Sequence, residues 1–215
     1  EFTSVVDRTV AQIGSHAIQK TIRKNNKKFI AVSCHEDIIE WLEPDWIFCT
    51  DNMSFKNTRG LLRRPKFEVS IYKCSRNIWH FFKKYHYLTS NINNSAQCYC
   101  MVYQNKLIAF ASVIHFPHGQ VNNFKREHRT VVLPDYQGCG IGSIFSDFIA
   151  NLYVNNGFRY LSVTSNPAFI NHRKKSNNWV LKSFGRITSK HSQNLKGLEK
   201  SSSKNRNTTS WEYIK

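Results

Sequence analysis

Residues 131–153 constrain the fold of this chain more than any other stretch. An apolar, partly β-branched run at 131–133 ends in Pro134 and leads into a glycine-rich loop at 137–142. Apolar residues then recur at 144, 145, 148, 149 and 152, which is helical spacing. A strand, a glycine-rich turn and a helix in this order place unpaired backbone N–H groups at the positive end of a helix dipole. Such a cradle suits a pyrophosphate.

Two common phosphate-binding loops do not fit this segment. A Walker A loop needs Gly-Lys-Ser/Thr, and a dinucleotide fingerprint needs Gly-x-Gly-x-x-Gly with an acidic residue about 20 positions further on. Gln137, Gly140 and Gly142 instead fill the pattern Gln/Arg-x-x-Gly-x-Gly/Ala after a Val-x-Pro strand end. The segment therefore resembles motif A of the GNAT superfamily of acyl-CoA N-acyltransferases.

This resemblance implies an α/β fold with a GNAT-like mixed central sheet and flanking helices, and acetyl-CoA as the acyl donor. In the family, the pantetheine arm lies against the end of the motif A strand and the loop amides bind the pyrophosphate. A Val132 or Leu133 N–H is then a candidate for stabilising the oxyanion. The positions that the resemblance assigns to the cofactor are Val131, Val132, Leu133, Gln137, Gly138, Cys139, Gly140, Ile141, Gly142 and Ser143.

Charge is distributed unevenly along the 215 residues, a length that allows one large domain or a domain plus a fragment. Residues 1–55 carry six Lys/Arg against eight Asp/Glu, a balance of −2, whereas residues 56–215 carry twenty-five against six, a balance of +19. A composition break therefore lies near Phe55. The positive part predicts either a polyanionic partner such as DNA or RNA, or a solvated basic surface.

The compartment is predicted from the cysteines and from hydropathy. Six cysteines lie mostly within apolar runs without Cys-x-x-Cys spacing, which favours reduced thiols in a cytoplasmic protein. No apolar run is long enough to span a bilayer, and no signal peptide is visible. A metal site is not expected: the pair His115 and His118 straddles a proline, and Cys98 and Cys100 share one strand face, as core residues do.

The first residues, Glu-Phe-Thr-Ser-Val-Val-Asp, resemble the segment after the Walker B aspartate of ABC-type ATPases. The resemblance implies that Glu1 polarises the attacking water, that Asp7 is the D-loop aspartate and that His35 senses the γ-phosphate. The Walker A loop, the Q-loop and the signature motif are missing, so ATP and Mg²⁺ would bind only if upstream sequence completed the site. We expect a C-terminal piece of an ABC-ATPase–acetyltransferase fusion.

The predicted organisation has four parts: an ATPase-like segment at 1–55, a basic linker at 56–66, the GNAT domain at 67–187 and a basic tail at 188–215. The tail is expected to be mostly disordered, with an edge strand at 208–214. In the first part, periodicity predicts a helix at 8–24, a buried strand at 28–34, a helix at 36–42 and a strand at 45–49. In the GNAT domain it predicts strands at 67–72, 98–103, 107–116, 127–133, 158–164 and 179–187, and helices at 75–85, after the glycine loop and at 167–175.

Acyl transfer to an amine needs a general base, and the departing thiolate needs a proton. Many GNAT members carry a Glu nine residues before the motif's Gln/Arg; here that place is His128, with Glu127 beside it. The two side chains point to opposite faces of a strand, so only one can face the substrate, and we favour His128. In many members of the family a Tyr acts as the general acid. Here His172 stands at the position of that Tyr, which leaves His172 and Ser176 as candidates for the general acid.

The acceptor is predicted only by class. Residues 84–89 resemble the His-Tyr-Ser region of phage Mom-type adenine modifiers, which are GNAT relatives, and this resemblance implies that His86 and Tyr87 line an acceptor pocket. Packing of the tyrosines under the first helix of the domain remains the alternative. We predict an N-acetyltransferase acting on an amine, with nucleic acid as one acceptor class. The alternatives are a Mom-like base modifier and a non-catalytic module that senses CoA or binds nucleic acid within an ATPase machine.

Overall fold

The structure, a computed structural model, describes residues 1–58, 68–86, 90–119, 121–185 and 208–215. Within them the chain forms two compact units. The first comprises Glu1–Glu68 and Pro134–Cys139, and the second comprises Val69–Leu133 and Gly140–Lys215. The boundary at Glu68 falls later than the break predicted at Phe55. Residues 59–66 of the predicted linker and 188–207 of the predicted tail lie outside the described residues, and residues 56 and 57 of the linker belong to a strand.

The first unit begins with helix α1 (Arg8–Lys24), whose bounds match the prediction. Asp7 caps this helix, since its Oδ1 accepts the N–H of Thr9 at 2.9 Å. The apolar face of α1 buries Ala11 and Ile13. A short helix α2 (Ile38–Leu42) follows, and then an antiparallel hairpin of β1 (Trp46–Cys49) and β2 (Ser54–Asn57).

The predicted buried strand at 28–34 is wrong. Residues 27–33 join no ladder with any other described residue, and the side chains of Phe29, Ile30 and Val32 are 45%, 71% and 74% exposed. One main-chain bond, from Phe2 N–H to Val32 O (2.7 Å), ties the segment to the start of the chain. An apolar run becomes a buried strand only where strands pair with it and other elements cover it. Among the described residues no strand pairs with this segment, which contacts Phe2 through Val32 O and the Phe29 ring.

The second unit is built on a seven-stranded sheet in the order β3-β4-β5-β6-β7-β9-β8. All neighbours are antiparallel except β6 and β7, which run parallel. The mixed α/β architecture predicted from the sequence is confirmed. The strands are β3 (Ser70–Cys74), β4 (Gln97–Tyr103), β5 (Lys106–His115), β6 (Phe124–Val132), β7 (Arg159–Thr164), β8 (Trp179–Gly185) and β9 (Thr208–Tyr213).

The last strand was predicted at an edge, and this placement is wrong. Strand β9 is inserted between β7 and β8 and pairs with both, as in the pairs Tyr160↔Tyr213 and Trp179↔Tyr213. Burial explains the central position, because Thr209, Trp211 and Tyr213 are 0%, 2% and 6% exposed. An alternating apolar pattern predicts a strand but carries no information about which neighbours will flank it.

Helices cover both faces of this sheet. Helix α3 (Trp79–Phe82) lies between two 3₁₀ turns where a single longer helix was predicted, and it packs Trp79 and Phe82 on Phe110 and Val131. Helix α4 (Ile141–Asn155) covers the opposite face: its Tyr153 contacts Tyr99, which pairs with Ala111 and so points away from the Phe110 side. Helix α5 (Pro167–Lys175) has the predicted bounds. Among the described residues, no helix is long and apolar enough to cross a membrane.

Candidate functional site

The two parallel strands of the second unit separate after three residue pairs. Strand β6 pairs with β7 at Phe124↔Arg159, Lys125↔Tyr160 and Arg126↔Leu161. Both strands continue beyond these pairs, β6 to Val132 and β7 to Thr164, without further pairing to each other. The strands therefore enclose a wedge. An extended ligand chain can enter it and bond to the exposed edge of β6 as a strand would.

Strand β6 also carries a β-bulge inside this wedge. On the partner strand, Ser112 pairs with Arg129 and Val113 pairs with Glu127, which leaves His128 as the extra residue. A bulge bends its strand and redirects the side chain at that point, and bulges are common next to active sites. The predicted base therefore lies at the irregular position of the strand that borders the wedge.

The end of β6 was expected to offer N–H groups to the oxyanion from Val132 or Leu133. The Leu133 N–H donates to Ile108 O at 2.9 Å, toward β5, and is thereby withdrawn from that role. Because ladder bonds alternate along a strand, the Val132 N–H points to the other edge of β6, toward the wedge. Of the two residues named for the oxyanion, Val132 therefore stays a prediction.

Helix α4 begins beside the wedge. Its N-cap, Gly140, has φ +89°, a left-handed conformation that side chains rarely adopt, and no side chain of the described residues caps the helix. A Cβ on Gly142 would lie 3.3 Å from Val132 Cγ2 and 3.4 Å from Phe169 Cζ, so glycine allows the helix to approach β6 and α5 closely. The first-turn amides of Ile141, Gly142 and Ser143 lie at the positive end of the helix dipole, a position that suits an anion.

The preceding loop residues, Gln137, Gly138 and Cys139, belong to the first unit and pack on α1. A Cβ on Gly138 would lie 3.3 Å from Ala17 Cβ. The Cys139 thiol donates to Ile13 O (3.3 Å), and its carbonyl accepts from Lys20 Nζ (3.0 Å). Burial raises the pKa of the Cys139 thiol. These contacts occupy the thiol and carbonyl of Cys139, and the Gln137 N–H donates to Pro134 O at 3.1 Å. The sequence gives no signal for the approach of Lys20.

Glu127, the alternative base, lies in a cluster of hydrogen-bond donors, and its catalytic role stays a prediction. Its carboxylate accepts from Arg173 Nη2 at 2.9 Å and from the hydroxyls of Thr130, Ser162 and Ser146. The side chains of Glu127 and Arg173 are only 9% and 1% exposed. These four donors engage both oxygens of the carboxylate. The cluster joins β6, β7, α4 and α5 where the strands separate, a role that sequence reasoning missed.

His128 reaches the opposite side of β6, as the alternation of a strand predicts. Its Nε2 accepts the Asn93 N–H at 3.3 Å, and burial, aided by Arg129, Arg126 and His86, lowers its pKa to about 4. Burial and Arg129 likewise lower the pKa of His86 to about 4. The structure thus brings together two residues predicted separately, as catalytic and acceptor-binding. Both are neutral imidazoles at physiological pH. Tyr87 lies outside the described residues.

The candidate acid His172 pairs with Asp147, a residue that sequence reasoning missed. His172 Nε2 lies 2.7 Å from Asp147 Oδ2, and Trp179 Nε1 donates to Asp147 Oδ1 at 2.7 Å. The His172 and Asp147 side chains are 34% and 27% exposed, so this pair remains in contact with solvent. Ser176, the other candidate, ends α5, and its Oγ accepts the Asn178 N–H at 3.2 Å. That bond gives Ser176 a turn-forming role.

The ATPase-like residues of the first unit make local contacts. Glu1 Oε1 accepts from the Cys34 thiol at 2.7 Å, and this bond lowers the pKa of Glu1. Asp7 is the cap of α1, and the His35 N–H donates to Ser33 Oγ at 3.1 Å. These contacts explain the local fold without a nucleotide. The relation to an ATPase stays a prediction. Within the described ranges, no group of three or more His, Cys, Asp or Glu is placed to hold a metal.

Comparison with solved structures identifies the same architecture. The ribosomal-protein-S18-alanine N-acetyltransferase from Escherichia coli is 14% identical, with a TM-score of 0.50 over 68% of this chain and 93% of that one. The Bacillus subtilis acetyltransferase in complex with CoA is 8% identical, with a TM-score of 0.50 over 70% of this chain and 99% of that one. At such low identity the likeness shows the fold alone. No curated protein sequence matches this chain.

The sequence profile described as the acetyltransferase (GNAT) family matches residues 61–172. This span is just over half of the chain. It includes the separating strands, the bulge at His128 and the glycine-flanked start of α4. The chain therefore belongs to the acetyltransferase (GNAT) family.

Proposed function

We propose that this protein transfers an acetyl group from acetyl-CoA to an amine. The observation that carries the proposal is the wedge between β6 and β7, which opens beside the uncapped N-terminus of α4. A pantetheine arm has the amides needed to bond to the edge of β6, and a pyrophosphate suits the first turn of α4. The B. subtilis structural neighbour is a complex with CoA, which agrees with this choice of donor.

The chain offers a separate residue for each step. The main chain of β6 at Val132 borders the wedge, and we assign it to the carbonyl of the thioester as the amine attacks. His128 is the base that receives the proton of the attacking amine, because its low pKa keeps the imidazole unprotonated. Its bond from Asn93 N–H is longer than the usual 2.9–3.0 Å and can be displaced by an incoming donor. His172, oriented by Asp147, is the candidate that protonates the departing thiolate.

A pair of variants at one glycine tests the donor site. Asp and Asn both tolerate the left-handed conformation of Gly140, so Gly140→Asp and Gly140→Asn impose similar backbone strain. Only Gly140→Asp adds a carboxylate where the pyrophosphate binds. We expect Gly140→Asp to weaken acetyl-CoA binding about 100-fold in calorimetric titration and Gly140→Asn to weaken it about tenfold or less. Equal affinities for acetyl-CoA in the two variants would remove the pyrophosphate from this position.

A second candidate function is favoured by charge. The balance of +19 over residues 56–215 supports an acceptor on nucleic acid, including a Mom-like modification of a base. The same charge also supports a non-catalytic module that senses CoA and binds nucleic acid beside an ATPase. Incubation of labelled acetyl-CoA with tRNA, DNA and polyamines separates these functions: label on nucleic acid supports the base modifier, label on polyamines the general amine acetyltransferase, and no label on any of them the sensing module.

A further inference from the structure

An open surface cavity of about 680 Å³ lies in the second unit, and most of the residues that line it are exposed to solvent. It is bordered by the start of the α3 region on one side and by the loop at 90–94 on the other. Asn93 connects the cavity to the candidate base, because its N–H donates to His128 Nε2. The described residues that line the cavity are Arg76, Trp79, His80, Lys83, Ser90, Asn91, Ile92, Asn93 and Asn94.

Three main-chain carbonyl groups of the 90–94 loop, those of Ser90, Asn91 and Asn94, accept hydrogen bonds from the body of the unit. Trp79 Nε1 donates to Ser90 O at 2.6 Å, Arg129 Nη2 to Asn91 O at 3.2 Å, and Arg76 Nη1 to Asn94 O at 2.8 Å. Three donors from the body of the unit thus fix the loop and hold its carbonyl groups. Each of these oxygens therefore has one of its two lone pairs occupied, which makes it a weaker acceptor for a ligand that brings N–H groups.

Two asparagine side chains of this loop also use their oxygens as hydrogen-bond acceptors. Asn93 Oδ1 accepts from both the N–H and the hydroxyl of Ser95, at 2.9 and 2.8 Å. Asn94 Oδ1 accepts from Arg76 Nη1 at 2.9 Å. With the oxygens assigned by these donors, each asparagine retains its NH₂ group as a donor. No Asp or Glu is among the described lining residues. The cavity is rich in donors and poor in acceptors.

We infer that this cavity binds a phosphate group of the acceptor and thereby restricts the transferase to phosphate-bearing amines. The inference rests on the proposed function and names its substrate class. Arg76 and Lys83 supply positive charge, and the asparagine NH₂ groups supply further hydrogen bonds to phosphate oxygens. A polyamine or a lysine side chain would bring an ammonium group into a cationic, donor-rich cavity and would be repelled.

The amine of such an acceptor must also suit its surroundings. Near His128 the charged neighbours are Arg126 and Arg129, so an amine that is uncharged before the reaction is favoured over an ammonium. The exocyclic amines of nucleobases are uncharged at neutral pH and lie on a phosphate-bearing scaffold. Both a free nucleotide and a nucleic-acid strand have this chemistry, and the experiment separates the two sources.

The test compares ligands that differ by one phosphate. Binding of AMP against adenosine, and of CMP against cytidine, is measured on the full chain by calorimetry with CoA present. We expect each nucleotide to bind at least tenfold more tightly than its nucleoside. Lys83→Gln should reduce this preference and Lys83→Glu should abolish it. Lys83 is the first choice for substitution because, unlike Arg76, it does not fix the 90–94 loop.

Lys106→Gln is the matched control. It removes one exposed charge at the far end of β4, where Lys106 pairs with Tyr103 rather than with the Gln97 end near the cavity. Equal affinities for nucleotide and nucleoside would overturn the inference, as would equal losses of nucleotide affinity in Lys83→Gln and Lys106→Gln.

A ten-nucleotide single strand that binds more tightly than AMP, with the same dependence on Lys83, identifies nucleic acid as the source. Binding no tighter than that of AMP identifies the free nucleotide. Acetyl-CoA binding measured in the same samples tests the proposed function separately, because the nucleotide preference does not depend on its outcome.

Discussion

The two faces of strand β6 place their titratable side chains in opposite environments. On one side, Glu127 is buried as an anion, paired with Arg173 and bonded to three hydroxyls. On the other side, the neighbouring His128 is buried as a neutral imidazole next to arginines. A buried charge is tolerable only when it is paired, whereas a group that can lose its charge does so. Adjacent residues on one strand therefore acquire a structural role and a candidate catalytic role from their surroundings alone.

This contrast explains where rigidity and reactivity lie. The Glu127 cluster joins four elements at the point where β6 and β7 separate. The His128 side has one long hydrogen bond and a cavity beside it. Chemistry that needs a displaceable bond and space for an acceptor suits the second side. The following variants test the contrast, from the largest expected effect to the smallest.

Breaking the buried ion pair should have the largest effect. Glu127→Ala leaves Arg173 buried without its partner, so we expect the free energy of unfolding to fall by about 3–5 kcal/mol. The double variant Glu127→Leu/Arg173→Met removes both charges and should lose much less. Urea unfolding followed by circular dichroism measures both. A double variant that is less stable than Glu127→Ala would contradict this expectation. It would mean that the paired charges themselves stabilise the fold, and not only that an unpaired buried charge destabilises it.

Acid should destabilise the protein through the neutral imidazoles. The pKa of His86 and of His128 is about 4 in the folded protein and 6.5 ordinarily, so the unfolded chain binds more protons between these values. Stability is therefore complete above pH 6.5 and falls as the pH drops toward 4, by on the order of 1 kcal/mol for each histidine, because solvent screens these partly exposed rings. Unfolding free energies measured across this range should show the decline.

His128→Gln is the matched variant for this titration. Glutamine keeps an oxygen that can accept the Asn93 N–H but cannot be protonated, so the acid-dependent loss should shrink by about half. The same variant should lower kcat by about 100-fold, the lower end of what a general base contributes. An unchanged kcat would remove His128 from the reaction, and an unchanged pH dependence of stability would show that the imidazole is not held neutral.

The half-exposed pair on α4 and α5 should matter least for stability. Asp147→Asn keeps an oxygen for Trp179 Nε1 but loses the negative charge that faces His172. Because solvent reaches both side chains, we expect a loss of about 1 kcal/mol or less in thermal unfolding. A loss of stability as large as that of Glu127→Ala would show that the difference in solvent exposure does not determine how much each carboxylate contributes to stability.

Several elements and one site follow directly from residue patterns. Helix α1 and helix α5 have their predicted bounds because a cap residue, Asp7 or Asn166, and an apolar or basic run specify a helix locally. The glycine loop predicted the start of α4, since its backbone conformation depends on residues next to one another. The pairing of Glu127 with Arg173, 46 residues apart, could not be predicted in this way.

The segment at 28–34 and strand β9 show what local patterns leave open. Both are apolar runs that predict strands, yet the first joins no ladder in the described chain and the second is central in the sheet. Strand formation needs partners, and partners are chosen by contacts between distant residues. Likewise, the nearby sequence predicts neither the burial of Glu127 nor the hydrogen bonds of the 90–94 loop.

The sequence by itself determined the order of elements, the position of the glycine loop and the positive charge of the larger part, because these depend on residue type and spacing. Only the tertiary structure decided which titratable groups are charged, which amides point into the wedge and which carbonyls are withdrawn from the cavity. Protonation and hydrogen bonding depend on burial and on neighbours brought from elsewhere in the chain. Residue identity names a candidate base, and its surroundings determine whether it can act as one.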